Sequence, residues 1–165
     1  ASDYRRERIE TFLTGKCQKG VDLLGDCFQL NQSWIAISSG GLTGLGPGTS
    51  RARWGMLPNA YTDFIVSITG EEYGFIGILI LTIIFLLLII SFYGMALTTD
   101  DNFKKLILAG LATWVGIQTI LNLGGAVGLL PITGIVLPFI SYGGTAMVSI
   151  FIGLSLAHNE TSKNE

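Results

Sequence analysis

The sequence predicts an all-α integral membrane protein that crosses the bilayer several times. Only 13% of its 165 residues are charged, whereas soluble domains carry roughly 25%. Asp, Glu, Lys and Arg are absent from residues 73–99 and again from residues 106–159. A helix needs about 20 apolar residues to cross the hydrocarbon core. Both gaps are long enough, so we favour a polytopic membrane protein over a soluble domain.

The charge-free stretches divide the chain into a polar segment, residues 1–73, and a helical region, residues 74–165. Prolines and a cluster of polar residues interrupt the helical region. Three transmembrane helices are therefore predicted, at about residues 74–97, 106–123 and 141–158. A short turn, residues 98–105, follows the first span, and a loop, residues 124–140, follows the second.

The polar segment is predicted to contain a Gly-rich loop and a short amphipathic helix. Glycine costs about 1 kcal/mol inside a helix and proline more, so residues 38–48 are expected to form a loop. Pro58 suits a helix start, and a short helix is expected from Asn59 to Gly70. A single straight helix over residues 58–97 would be about 60 Å long. Because the hydrocarbon core is about 30 Å thick, we expect a break near Gly70 and Gly74.

The positive charges cluster ahead of the first span. Seven of the ten basic residues lie there: Arg5, Arg6, Arg8, Lys16, Lys19, Arg51 and Arg53. Such a cluster can be a solvated segment or a surface that meets anionic lipid headgroups. The net charge of −2 gives no support for nucleic-acid binding. The positive-inside rule leaves the orientation open, since Lys104 and Lys105 lie in the turn that follows the first span.

The two cysteines and the start of the chain carry their own expectations. Cys17 and Cys27 are ten residues apart and can either form a disulfide outside the cytoplasm or remain unpaired. No His lies near them, which argues against a metal site. The chain begins with an Arg-rich segment and shows no signal-peptide pattern, so we expect further spans ahead of it in the complete protein.

The acidic residues before the first span are the candidates for chemistry. On a helix of period 3.6, Asp63 shares one face with Ser67, Gly70 and Glu71. A carboxylate on a small-residue face at a membrane boundary can serve as a general base. Pairing with Arg51 or Arg53, or capping a helix, is the alternative. Glu71 and Glu72 point in different directions and suit supporting or boundary roles, and no metal site is predicted.

Three long motifs carry a family resemblance. Residues 57–65, LPNAYTDFI, and residues 70–74, GEEYG, resemble the signature LPEAHTDFIFAIIGEELG of the SEDS family, the shape, elongation, division and sporulation proteins of FtsW and RodA type. Upstream, residues 29–33 and 39–46 resemble YQxxQS and SGGLxGxGLG. Downstream, residues 128–134 and 137–145 resemble GLLPxTG and LPFxSYGGS. The residues of these motifs resemble FtsW slightly more than RodA. The motifs correspond to the carboxy-terminal part of a ten-span family protein.

The resemblance implies a peptidoglycan glycosyltransferase in the bacterial cytoplasmic (inner) membrane. Such enzymes polymerise lipid II, an undecaprenyl-pyrophosphate-linked substrate, into glycan strands in cell division or elongation. Asp63 matches the family's essential aspartate and is expected to deprotonate the acceptor hydroxyl. The implied substrate-binding residues are Gln32, Ser33, Arg51, Arg53, Ser141, Gly143 and Gly144, with Glu71 and Glu72 in support.

The resemblance also implies a topology and a set of partners. Residues 1–73 and 124–140 would be extracytoplasmic, and residues 98–105 and the carboxy terminus cytoplasmic. The expected partners are membrane lipid, a class B penicillin-binding transpeptidase and other divisome or elongasome membrane proteins. No cofactor is assigned, and a requirement for a divalent metal stays open. The fragment alone is expected to be inactive.

Departures from the family pattern and two other functions stay open. Asn59 and Tyr61 replace the family's Glu and His, so neither is assigned acid–base chemistry. A lipid II transporter (flippase) is one alternative, although transporters place polar groups at the membrane midplane and the predicted spans carry no charge. A non-catalytic membrane scaffold for the transpeptidase is the other.

Overall fold

The computed structural model is all-helical over the residues it describes, which are residue 10, residues 12–15, residue 17 and residues 27–52 and 61–159. In this part of the chain four longer helices follow one another: α1 (Phe28–Gly40), α2 (Ile65–Thr98), α3 (Asn102–Val127) and α4 (Gly144–Asn159). α2 and α3 are long and apolar enough to cross a membrane, and α4 is a shorter apolar helix. The all-α prediction is confirmed, with two membrane-capable helices.

α1 corrects the start of the Gly-rich loop that the sequence predicted over residues 38–48. Its buried residues, Leu30, Ser33, Ala36 and Gly40, recur every three or four positions and therefore form one face. That face is made largely of small residues, so it does not stand out as an apolar stripe. Ser38, Ser39 and Gly40, which the sequence assigned to the Gly-rich loop, form the end of this helix. At Gly40 a Cβ would overlap the carbonyl oxygen of Gly70, so the last turn of α1 packs tightly against α2.

α2 consists of two helical pieces separated by a break. The short helix expected from Asn59 begins only at Ile65, because residues 61–63 form a turn; residues 59 and 60 lie outside the described part. Gly74 has φ 68° and ψ −163°, which is not helical. Few residues other than glycine tolerate a positive φ. The break expected near Gly70 and Gly74 is thus confirmed at Gly74.

The Gly-rich loop fills this break with backbone hydrogen bonds. In a regular helix the amides of Phe75 and Ile76 would donate to the carbonyls of Glu71 and Glu72. Here those amides donate instead to the loop, to Gly41 O (2.9 Å) and Leu42 O (3.2 Å). In return, the loop donates from Leu45 N to Glu71 O (3.0 Å) and from Gly46 N to Glu72 O (3.0 Å). Four hydrogen bonds to the loop thus replace two within the helix.

α2 and α3 form the main helical pair. Their shared core contains Leu81, Phe85 and Phe92 from α2 with Ala112 and Val115 from α3. The connection between them is short, and the Asp101 carboxylate caps α3 by accepting from Phe103 N at 2.8 Å.

α4 packs on α3, where Gly153 lies against the side chain of Leu111. Ahead of α1, Cys17 and Cys27 form a disulfide with a Cα–Cα distance of 5.2 Å. That bond settles the alternative that the sequence left open.

Replacing Gly74 by alanine tests the break in α2. A Cβ at this position would collide with the backbone of Leu42 and Gly44, and a positive φ costs a non-glycine residue about 1–3 kcal/mol. We expect Gly74→Ala in the complete protein to lower the free energy of unfolding by at least about 2 kcal/mol, measured by thermal unfolding in detergent.

Gly94→Ala is the matched control in the same helix. A Cβ there meets open space and the backbone is helical, so alanine should leave stability unchanged or raise it by about 0.5–1 kcal/mol. Equal unfolding temperatures for the two variants would contradict the proposed packing of the loop into the break.

Candidate functional site

Asp63 lies in the turn that leads into α2. Phe64, the residue that follows, is fully buried and anchors this turn in a small core with Ala36 and Ile68. The Asp63 side chain itself is half-buried at a narrow slit of about 10 Å³. None of the described residues donates a hydrogen bond to its carboxylate. Within the described part of the chain, the lone pairs of Asp63 are therefore unoccupied while its backbone is held in place.

The walls of this slit come from α3 and from the loop that follows it. The lining residues other than Asp63 and Phe64 are Leu121, Asn122, Gly125, Ala126, Ile132, Thr133, Gly134 and Ile135. Gly134 has φ 68°, and a Cβ on it would lie 3.6 Å from Asp63 Oδ2. A space of this size holds about one water molecule. The slit is therefore too small to enclose a sugar, and a substrate would meet the Asp63 carboxylate at the edge of the slit.

Asn122 connects the two walls. This α3 residue is only 4% exposed. Its Nδ2 donates to the backbone carbonyls of Asp63 (3.0 Å) and Ile135 (2.7 Å). Asn122 therefore joins α3 to two loop segments through their backbone carbonyls.

The turn over residues 137–141 supports the far side of the site. The Ser141 hydroxyl accepts from Leu137 N at 2.9 Å, and Ser141 N donates to Leu137 O at 3.0 Å. Phe139 in this turn has φ 62°, a region that costs a non-glycine residue about 1–3 kcal/mol. Tyr142 N then donates to Tyr61 O at 3.0 Å. This bond joins the turn that contains Asp63 to the segment that precedes α4.

A second, larger cavity lies between α1, the segment after the Gly-rich loop, and α2. Its volume is about 240 Å³, and its lining contains the polar residues Gln32, Ser39, Arg51 and Glu71. Arg51 is exposed at its rim. This cavity shares no lining residue with the slit at Asp63. Its lining combines the Arg51 cation at the rim, the hydrogen-bonded Glu71 carboxylate, neutral polar groups and apolar side chains, so an anionic group attached to an apolar body would meet its cation only at the rim.

Glu71 fixes the segment that carries Arg51. Its carboxylate is 2% exposed and accepts from Ser50 Oγ (2.6 Å), Arg51 N (3.0 Å) and Ala52 N (3.1 Å). A buried carboxylate is tolerated when such donors replace water. Glu72 is also buried, but its Oε1 has no hydrogen-bond partner in the described part of the chain. The two adjacent acids therefore differ in role, and Glu71 is the structural anchor.

Ser33 and Trp34 hold the end of α3. The Ser33 hydroxyl is fully buried, donates to Ala126 O at 2.7 Å and lies 2.6 Å from Ser67 Oγ. Trp34 Nε1 donates to Val127 O at 3.0 Å. Both carbonyls belong to the last turn of α3, where helix carbonyls have no partner within the helix. The described contacts of Ser33 are therefore structural, and its substrate contact stays a prediction.

The structure groups the predicted site residues into two places. Gln32, Arg51 and Glu71 share the larger cavity, whereas Asp63 lies at the slit. Gly143 packs against Val136 and Gly144 begins α4, so neither lines the slit. Arg53 lies outside the described residues.

Sequence reasoning assigned neither the residues of the 132–135 segment nor Asn122 to the site. The one signal for Asn122 was a polar side chain within an apolar span. For a metal, the described ranges hold no group of three or more His, Cys, Asp or Glu side chains.

Comparisons with known proteins place the chain in one family. A family model described as cell cycle protein, covering FtsW, RodA and SpoVE, matches residues 1–164. The protein named probable peptidoglycan glycosyltransferase FtsW from Geobacter metallireducens is 38% identical over 161 residues, which are 98% of this chain and 42% of that protein. Stage V sporulation protein E of Bacillus subtilis is 36% identical over 159 residues, which are 96% of this chain and 42% of that protein.

Two solved structures share the fold. One, described as a peptidoglycan synthase complex that coordinates polymerization and crosslinking, contains a chain with TM-score 0.67 and 30% identity, covering 93% of this chain and 40% of that one. The other is a variant of the rod shape determining protein RodA of Thermus thermophilus, with TM-score 0.56 and 34% identity, covering 82% of this chain and 40% of that one. The chain spans about two fifths of the length of the relatives it matches.

Glu71→Gln tests the anchoring of the Arg51 segment. A glutamine side chain has one acceptor oxygen in place of two, so at least one of the three donors loses its partner in either amide orientation. A buried donor without a partner costs about 1–3 kcal/mol. We expect the free energy of unfolding of the complete protein to fall by that amount, measured by thermal unfolding in detergent.

Glu72→Gln is the neighbouring control for this substitution. It removes a buried charge whose Oε1 has no hydrogen-bond partner among the described residues, so stability should stay unchanged or rise. A larger loss for Glu72→Gln than for Glu71→Gln would contradict the assigned roles.

Proposed function

The chain belongs to the FtsW/RodA/SpoVE family of cell cycle proteins, and on that premise we propose that the complete protein is a peptidoglycan glycosyltransferase that polymerises lipid II. The observation that carries the proposal is Asp63. Its carboxylate is half-buried, is held through its backbone and receives no hydrogen bond from the described residues. A carboxylate available in this way can accept a proton from a substrate hydroxyl.

In the proposed reaction Asp63 acts as the general base. The acceptor sugar hydroxyl transfers its proton to the carboxylate as its oxygen attacks the anomeric carbon of the donor sugar. A new glycosidic C–O bond forms, the bond from the anomeric carbon to the pyrophosphate oxygen breaks, and undecaprenyl pyrophosphate leaves with the electron pair. Placing the base within hydrogen-bond reach of the hydroxyl supplies both proton transfer and orientation.

The larger cavity is proposed to bind the charged part of the lipid-linked substrate. Arg51 at its rim would offset the pyrophosphate charge, and Gln32 would add a polar contact. Ser141, Gly143 and Gly144 are proposed to support substrate binding from the segment that precedes α4. Asp63 precedes the apolar part of α2 by one short helical piece. That position favours chemistry at the membrane surface, where an amphipathic substrate exposes its sugars.

We propose a three-span topology for this part of the protein, with α4 as the third span. Residues 1–73 and 124–140 would be extracytoplasmic, and residues 98–105 and the carboxy terminus cytoplasmic. The disulfide between Cys17 and Cys27 supports this orientation, because disulfides persist mainly outside the reducing cytoplasm. The proposed partner is a class B penicillin-binding transpeptidase, since one structural relative belongs to a complex for polymerization and crosslinking.

Polymerisation of purified lipid II by the complete protein with its transpeptidase tests the proposal. Asp63→Ala and Asp63→Asn should each lower the rate by at least about 100-fold, the scale of general-base catalysis, with expression and partner binding unchanged. Asp101→Asn is a matched control, because Asn caps a helix as well as Asp and this residue caps α3 elsewhere. Full activity in both Asp63 variants would sink the general-base role. A wild-type protein that never polymerises lipid II but binds the transpeptidase would favour the scaffold.

A further inference from the structure

Asn122 occupies an unusual position for an amide side chain. It lies within the apolar helix α3, is almost completely buried, and uses its Nδ2 to donate to two backbone carbonyls. Its orientation is fixed by those partners, since a carbonyl oxygen can only accept a hydrogen bond. Turning the amide around would set Oδ1 against both carbonyls.

The two carbonyls belong to opposite walls of the slit at Asp63. One is the carbonyl of Asp63 itself, at 3.0 Å. The other belongs to Ile135, at 2.7 Å, next to Gly134, which faces the Asp63 carboxylate. A single rigid amide therefore sets the distance between the backbone that carries the carboxylate and the loop that lies in front of it.

The unused half of the amide argues against a purely packing role. Asn122 Oδ1 is buried and has no hydrogen-bond partner among the described residues. A buried acceptor without a partner is unfavourable, and an apolar residue such as leucine would fill the same helix position without that cost. The two donated bonds must offset this cost, so what the residue contributes is the connection between the slit walls.

We propose that Asn122 is a positioning residue that holds Asp63 in register with the loop over residues 132–135. The inference rests on the proposed role of Asp63 as general base. Asn122 acts through Asp63 and does not touch the substrate, so it affects the reaction step and not substrate affinity. A displacement of about 1 Å in a reacting group can cost up to about 100-fold in rate.

The test uses Asn122→Asp and Asn122→Leu in the complete protein with its transpeptidase. Asp has the same size but turns the donating nitrogen into an acceptor, and Leu removes both bonds. We expect kcat for lipid II polymerisation to fall by about tenfold or more, with KM within about twofold of wild type. Thr119→Val is the matched control, because Thr119 is equally buried in α3 but donates only to Val115 O of its own helix. Its kcat should stay within about twofold of wild type.

Each remaining outcome decides between the two proposals. Wild-type kcat in both Asn122 variants, with Asp63→Ala inactive, overturns the positioning role and leaves the general base intact. A raised KM at unchanged kcat assigns Asn122 to uniform substrate binding and also overturns it. If neither variant protein accumulates in the membrane, the Asn122 amide is a requirement of the fold alone. This outcome would also overturn the positioning role. Wild-type activity in Asp63→Ala would contradict the general-base role itself, and the positioning role that rests on it would fall with it.

Discussion

The break in α2 at Gly74 is the constraint on which the rest of the structure depends. A helix that stops hydrogen bonding at the edge of a membrane leaves amides and carbonyls that water cannot reach freely, and non-helical backbone at such depth requires protein partners. The Gly-rich loop supplies them through bonds in both directions, from Leu45 and Gly46 and to Gly41 and Leu42. The Gly-rich loop that follows α1 is thereby fixed to α2.

The Glu71 anchor follows from the same break. Because the loop is bonded to α2 through residue 46, residues 50–52 return to the same helix, and the Glu71 carboxylate binds them. Arg51 is thus held by its own backbone amide at the rim of the cavity. At the other end of the site, Ser33 and Trp34 bond the last carbonyls of α3. α1 is therefore held between α2 and the carboxy-terminal end of α3.

The sequence predicted the features that arise from local composition. Apolar runs reveal α2 and α3 because every residue of a membrane helix contributes to the signal, and the excess length of the helical pattern predicted the break now seen at Gly74. α1 escaped prediction because its buried face consists of Leu30, Ser33, Ala36 and Gly40, which local hydrophobicity does not distinguish from a loop.

The site was only partly visible in the sequence for a related reason. Asp63 could be identified from its motif, but the partners of Asn122 are backbone carbonyls 59 and 13 residues away. A backbone carbonyl exists at every position and leaves no mark in the residue pattern. Similarly, the adjacent residues Glu71 and Glu72 are identical in the sequence. Only the structure shows that three donors from residues 50–52 bind Glu71.

The three acids near the start of α2 show why their contacts matter more than their proximity. A general base needs a lone pair that can reach a substrate proton. The oxygens of Glu71 are occupied by three donors and lie in the interior, so a substrate hydroxyl could reach them only by displacing the Arg51 segment. Glu72 is buried within the interrupted helix, where its backbone carbonyl is bonded to Gly46. Asp63 alone among the three combines a fixed backbone with a partly exposed carboxylate, and a loop glycine in front of it leaves room for an approaching hydroxyl.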